Sequence, residues 1–233
     1  MKTSTKKRLF WILVPVLAVI VVGGAGVSWM LSGRAAAPLA LKAGGSSSLA
    51  TSGGDLSGQW GVVPGPVEEA TTAGYRVEEK VAGGLVSDTA TGRTGDVTGS
   101  VTVVGNRVVA AHFTVNMTTL KSDKSLRDTV LKTNAIQTAK YPTAAFTLAD
   151  PIALPDITPG KVYKVDAHGK LLLHGVTKSV TVDLHYEQTN TGFVLLATMP
   201  IVMADYAIKA PSIAGVVSVQ NHGSFELLVN LAK

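Results

Sequence analysis

Residues 170–186, KLLLHGVTKSVTVDLHY, decide how this chain is read. Two apolar-alternating runs meet at His174-Gly175. Beyond that turn, Val180, Val182, Leu184 and Tyr186 fall on one face and Ser179, Thr181, Asp183 and His185 on the other. A period of two is the side-chain period of a strand, so the stretch predicts a β-hairpin with one dry and one wet wall. Whether the dry wall faces packed core or a pocket is the functional question.

Similar runs extend outward on both sides. They predict strands at 59–63, 75–81, 96–104, 107–119, 144–148, 162–173, 176–188, 192–203 and 217–231. Along 107–119, Val109, Ala111, Phe113, Val115 and Met117 share a face opposite Ala110, His112, Thr114 and Asn116. In the last strand Val217, Val219, Phe225, Leu227, Val229 and Leu231 do the same. Gly105-Asn106 and Asn190-Thr191-Gly192 stand where hairpin turns belong. Pro200 signals a bulge or an edge, because it has no N–H for a ladder. Residues 123–134 space Leu126, Val130 and Leu131 for one short helix, with Ser122 or Asp123 available as N-cap. Residues 83–95 are polar and turn-rich, and are expected to form a surface loop. The predicted class is all-β, a sandwich or a closed barrel, and strands of this length favour the barrel.

The N-terminus differs in composition. Residues 1–8 carry Lys2, Lys6, Lys7 and Arg8 and no acid, and residues 9–32 follow as 24 positions without a charge. A helix of that length reaches about 36 Å, against ~30 Å for a bilayer core. The basic flank places the N-terminus in the cytoplasm and the bulk of the chain outside. The rival reading is a cleavable signal, with Ala35-Ala36-Ala37 as cleavage region and a secreted product. Gly24 and Ser28 are compatible with pairing of two spans into a homodimer, as is ordinary span composition. The expected organisation is a cytoplasmic segment at 1–8, a transmembrane helix at 9–32, a flexible Gly/Ser/Ala-rich stalk at 33–57 and a β-domain at 58–233.

Charge excludes one partner class. The formal net charge is +5, yet residues 1–34 hold five of the 21 Lys and Arg, leaving 16 bases against 16 acids in the exported part. Basicity therefore belongs to the topology signal, and nucleic acid is not an expected partner. With no cysteine, disulfides, thiolate catalysis and Cys-ligated zinc are excluded. His112, His168, His174, His185 and His222 lack the short spacings of dedicated metal sites and are read as solvated. No nucleophile elbow, P-loop or dinucleotide fingerprint occurs. The acid pairs Glu68-Glu69 and Glu78-Glu79, if on strands, point to opposite faces. No enzyme, metal or cofactor is expected.

The ordered motifs resemble the YceI-like family over residues 56–232. They begin with Gly58-Gln59-Trp60-Gly61-Val62 and DVTGSV at 96–101. Next come Phe113-Thr114-Val115-Asn116-Met117, Leu120-Lys121-Ser122-Asp123 and Arg127-Asp128, then Tyr141-Pro142 with Phe146. The hairpin Gly169-Lys170-Leu171 through His174-Gly175-Val176-Thr177-Lys178 follows, and last Asp205-Tyr206-Ala207-Ile208. Ala207 stands where the family carries Gly, and Met203-Ala204 replace an Arg often found before the Asp. The resemblance implies an extended eight-stranded antiparallel, lipocalin-like barrel whose apolar interior holds a long polyisoprenoid chain. The residues agree in kind, since barrels of this size can enclose one ligand. Candidate wall residues are Phe113, Val115, Met117, Leu171, Leu173, Val180, Val182, Leu184, Phe193, Leu195, Met199, Phe225 and Leu227. The expected partner is an isoprenoid or quinone-like lipid, sequestered or transported outside the cytoplasm by a membrane-tethered barrel. The alternative is a non-catalytic surface interaction module with a solid β-core. Arg127-Asp128 is read as a helix-surface pair or a local structural anchor rather than a headgroup site.

Overall fold

The computed structural model describes residues 35–42, 55–81, 84–213 and 217–233. The expected transmembrane helix lies outside them; among the described residues no helix is long and apolar enough to cross a membrane. The strands are β1 (Gly58–Val63), β2 (Thr72–Val81), β3 (Val86–Thr94), β4 (Val97–Val104), β5 (Arg107–Asn116), β6 (Thr143–Leu148), β7 (Ile152–Ala153), β8 (Val162–Leu173), β9 (Val176–Gln188), β10 (Phe193–Val202), β11 (Ser212–Ile213) and β12 (Val217–Ala232). One α-helix, α1 (Ser125–Val130), continues into a π-helical turn at Leu131–Ala135.

Antiparallel pairing runs β1-β4-β5-β6-β8-β9-β10-β12, and β12 returns to β1 through Val62↔Leu231 and its neighbours. The eight strands therefore close into a barrel, as expected. Closure pairs the two outer strands, which is how a curled antiparallel sheet satisfies most of its outer N–H and C=O groups. The 16-residue β12 is longer than β1 can cover. Its first part pairs instead with β2, from Val217↔Val81 to Leu228↔Thr72, and β3 pairs with β2. The β2–β3 hairpin thus extends the wall past one end of the ring.

The hairpin read first is present with its turn at His174-Gly175. Both residues have positive φ (52° and 75°), the twist that a two-residue hairpin turn requires. Pro200 pairs with Ser224 of β12, while the ladder from β10 to β9 stops at Thr198↔Asp183. Its missing N–H therefore falls where β10 has a free edge. Between β9 and β10 the wall parts at this end of the barrel, and the turn Met203–Tyr206 follows directly from β10.

Five expectations are corrected. Residues 83–95 are not a surface loop: most of them form β3, whose inward positions hold Ala90 and Gly92, side chains too small to show alternation. In β5, Thr102 faces Ala110 and Val103 faces Val108, so Val109 is bulged out and 43 % exposed, and Val108 takes the inward position. The helical segment runs 125–135 rather than 123–134, α only to Val130 and π beyond, and its N-cap is Lys124 without a side-chain bond. Asp128 instead accepts the Ser122 N–H at 2.8 Å. Of the histidines, His174 is buried: its Nδ1 lies 2.9 Å from the Tyr206 carbonyl oxygen and its ring packs on Tyr141. Glu68 and Glu69 lie in a 3-10 turn, not a strand.

Residues 35–42, within the expected stalk, lie against the outer face of β2, β3 and β12. The Ala36 N–H donates to Thr91 Oγ1 at 3.0 Å, and Arg76 Nη2 donates to the Ala36 carbonyl. The Leu39 N–H donates to Glu226 at 3.4 Å, and Lys42 meets Glu69 through its N–H and Glu68 through Nζ, both at 2.7 Å. Glu226 is itself buried between Arg76 and Arg93.

Candidate functional site

Alternation on β5, β8, β9, β10 and β12 points one side chain in two at the barrel axis. That interior is not solid. Three cavities lie in series. The first, of about 1060 Å³ including its mouth, is bounded by β2, β3, α1, the π-turn and the start of β12. The last, of about 910 Å³ with the open solvent at its edge included, lies at the opposite end beneath Trp60, whose ring meets Phe193 edge-on at 5.1 Å between centroids. Between them is a smaller space of about 490 Å³.

Neighbouring cavities share lining side chains. Phe225 lines both the mouth cavity and the middle one; Phe113, Phe146, Met199 and Leu227 line both the middle and the deep one. Gly169 makes the Phe146 position possible, since a Cβ there would stand 2.3 Å from that ring. Rotamer changes at an unbranched Met and at rings such as these join neighbouring cavities without moving backbone.

The deep and middle cavities are walled almost wholly by apolar side chains, whereas the mouth carries charge. Glu79, one of the inward residues of β2, pairs with Arg127 of α1 at 2.7 Å, and Arg127 also pairs with Asp123. Burial pulls the Arg127 guanidinium down, but the Glu79 hydrogen bond and the charges of Glu79 and Asp123 outweigh it and hold its pKa above the ordinary value. One base faces two acids, so this cluster offers no spare positive charge to an anion. Beside it Tyr75 lies over Gly92, where a Cβ would come within 2.4 Å of the ring. The Tyr75 hydroxyl is buried with no hydrogen-bond partner among the described residues. Burial is also the main cause that pushes its pKa up, so it remains a proton donor.

The structure places every expected wall residue except Val180 on one of these cavities. Leu173 and Phe225 line the mouth; Val182, Leu184, Phe193 and Leu195 the deep end; Val115, Met117 and Leu171 the middle. Phe113, Met199 and Leu227 are shared between the middle and deep spaces. Val180 packs against the main core instead. Sequence reasoning missed Tyr75, Glu79 and Arg127 as cavity residues. Alternation of Tyr75, Val77 and Glu79 within the predicted strand at 75–81 was the available signal, but a buried acid reads as polar until its partner is known. No group of His, Asp or Glu suited to a metal occurs among the described residues.

A closed antiparallel barrel with a chain of internal apolar cavities defines a ligand-enclosing class of fold. The YceI-like domain matches residues 68–230, and the chain belongs to that family. Its fold is similar to that of a polyisoprenoid binding domain from Saccharophagus degradans, with a TM-score of 0.58 and 16 % identity, over 74 % of this chain and 97 % of that one. It is also similar to BcnA of Burkholderia cenocepacia, with a TM-score of 0.52 and 16 % identity, over 70 % and 96 %. No curated protein sequence matches it.

Proposed function

We propose that this protein binds a long-chain isoprenoid-type lipid along the barrel axis, outside the cytoplasm, tethered through residues 9–32. The observation that carries this reading is the series of three mainly apolar cavities whose neighbours share lining side chains. Each buried CH₂ contributes ~0.8 kcal/mol, so a long hydrocarbon gains affinity from length without any polar contact. The family membership and the likeness to a polyisoprenoid binding domain support the same ligand class.

The polar end of the lipid sits at the mouth. There the Tyr75 hydroxyl, without a partner among the described residues, offers one hydrogen bond beside the Glu79–Arg127–Asp123 cluster, and Lys124 and the Glu226-paired Arg76 also line the cavity. A head that accepts a hydrogen bond, such as a quinone carbonyl, suits the Tyr75 hydroxyl. Organic extraction of the purified full chain followed by mass spectrometry tests the proposal. A co-purifying neutral isoprenoid is the expected result, and a protein that carries no lipid and takes up none from vesicles overturns it. The alternative of an interaction module requires a solid core, and the cavities count against it.

A further inference from the structure

We infer that residues 35–42 are a strap that fixes the barrel on a lipid bilayer with the mouth cavity turned toward the membrane. This rests on the tethered reading above and goes beyond it, because a tether alone leaves the barrel free to tumble.

The direction of the strap carries the inference. Lys42 is held by Glu68 and Glu69, next to the end of β1. Leu39 reaches Glu226, which lies opposite Gly74, and Ala36 reaches Thr91 and Arg76, which lie opposite one another. Read backward from Lys42 to Ala36, the strap therefore runs along β2 from its start toward its tip. The tip of the β2–β3 hairpin belongs to the mouth end of the barrel: Tyr75, Val77, Glu79 and Ala90 all line the mouth cavity. The chain preceding Ala35 is thus delivered toward the mouth, not toward Trp60.

Length makes the orientation specific. Ser32, the last residue of the uncharged span, is four residues from Ala36, at most ~14 Å of extended chain. From Arg76 to Val81 the hairpin advances five residues, about 17 Å. A membrane surface at the level of Ser32 meets the hairpin tip before the strap is fully stretched. What the tip presents suits that contact: Leu85 is 88 % exposed, Val86 beside it is exposed, and so is Leu126 of α1, which also lines the mouth cavity. The far end also exposes apolar residues, Val67 and Val104, so exposure does not choose between the ends. The strap does. Its consequence is functional: a lipid leaving the bilayer enters the mouth cavity without crossing water.

The chain has no cysteine, so single labels can be placed at will. The full chain with Leu85→Cys, and separately with Val104→Cys, is labelled with a bimane fluorophore. Each is reconstituted into phosphatidylcholine–phosphatidylglycerol vesicles containing doxyl-lipid quenchers. Quenching several-fold stronger at position 85 than at 104 is expected, and replacing residues 35–42 by a Gly-Ser repeat of equal length should abolish the difference. Equal quenching at both positions in the intact chain, stronger quenching at 104, no quenching at either, or a difference that survives the Gly-Ser replacement overturns the inference. Extraction of bound lipid from the same preparations is an independent readout. Lipid-free protein with the label difference intact refutes the lipid-binding reading and leaves the strap standing.

Discussion

Arg127 of α1 and Glu79 of β2 form a 2.7 Å ion pair at the mouth of the barrel, with 14 % and 5 % of their side chains exposed. It ties the helix to the strand that extends the wall. Removing one partner of a buried pair strands the other charge and costs about 3–5 kcal/mol, whereas replacing both with apolar groups is often neutral. Arg127→Met should therefore lower stability by about 3 kcal/mol, and the Glu79→Met, Arg127→Met double variant by distinctly less. Urea unfolding of the three variants measures this, and additive losses would refute the clamp.

Tyr75→Phe removes a buried donor that has no partner among the described residues and leaves the ring over Gly92. A net hydrogen bond contributes about 0.5–1.5 kcal/mol, so affinity for a long-chain quinone should fall by about 2–10-fold. Affinity for a hydrocarbon of the same length should not change. Titration of both ligands by tryptophan fluorescence reads the difference, and equal losses would deny Tyr75 its role.

Ala197 points into the deep cavity. Ala197→Phe should fill it while the mouth cavity stays open, shifting the co-purified lipids toward shorter chains. Mass spectrometry of the extracts reads chain length. An unchanged distribution removes the deep cavity from the ligand path.

Burial first, and the charge of Glu69 second, push the Glu187 carboxyl above its ordinary pKa of 4.5. A carboxyl with a raised folded pKa is protonated in both states at pH below 4.5 and so imposes no penalty there. As pH rises from that value through the folded pKa, ionisation is resisted by the fold and stability falls. Glu187→Gln should therefore be more stable than the parent at neutral pH, with the gain vanishing in acid. Thermal unfolding across pH checks the sign.

Ala207 ends the turn after β10 with φ of 53°, the left-handed region, where a Cβ costs roughly 1–2 kcal/mol. Glycine relieves that strain but loses about 0.4–1 kcal/mol through its freer unfolded chain. Ala207→Gly should gain about 0.5–1 kcal/mol, read as a higher urea midpoint. The family's Gly at this position now has a physical reason.

Period-two alternation in the long strands located most strands, their hairpin turns and nearly every inward residue named, while it left sandwich and barrel both open. An inward side chain every second position is a local property, and β8 and β9 run from the first to the last residue expected. The tertiary structure decided what local pattern cannot encode. It made β3 a strand, because Ala90 and Gly92 face a wall whose space is filled from across the sheet by rings such as Tyr75. The bulge moved Val109 outward, because register depends on the partner strand. Glu79 could enter the barrel because Arg127 arrives from a helix 48 positions away. The cavities themselves are volumes between distant strands, and no single stretch of sequence contains one.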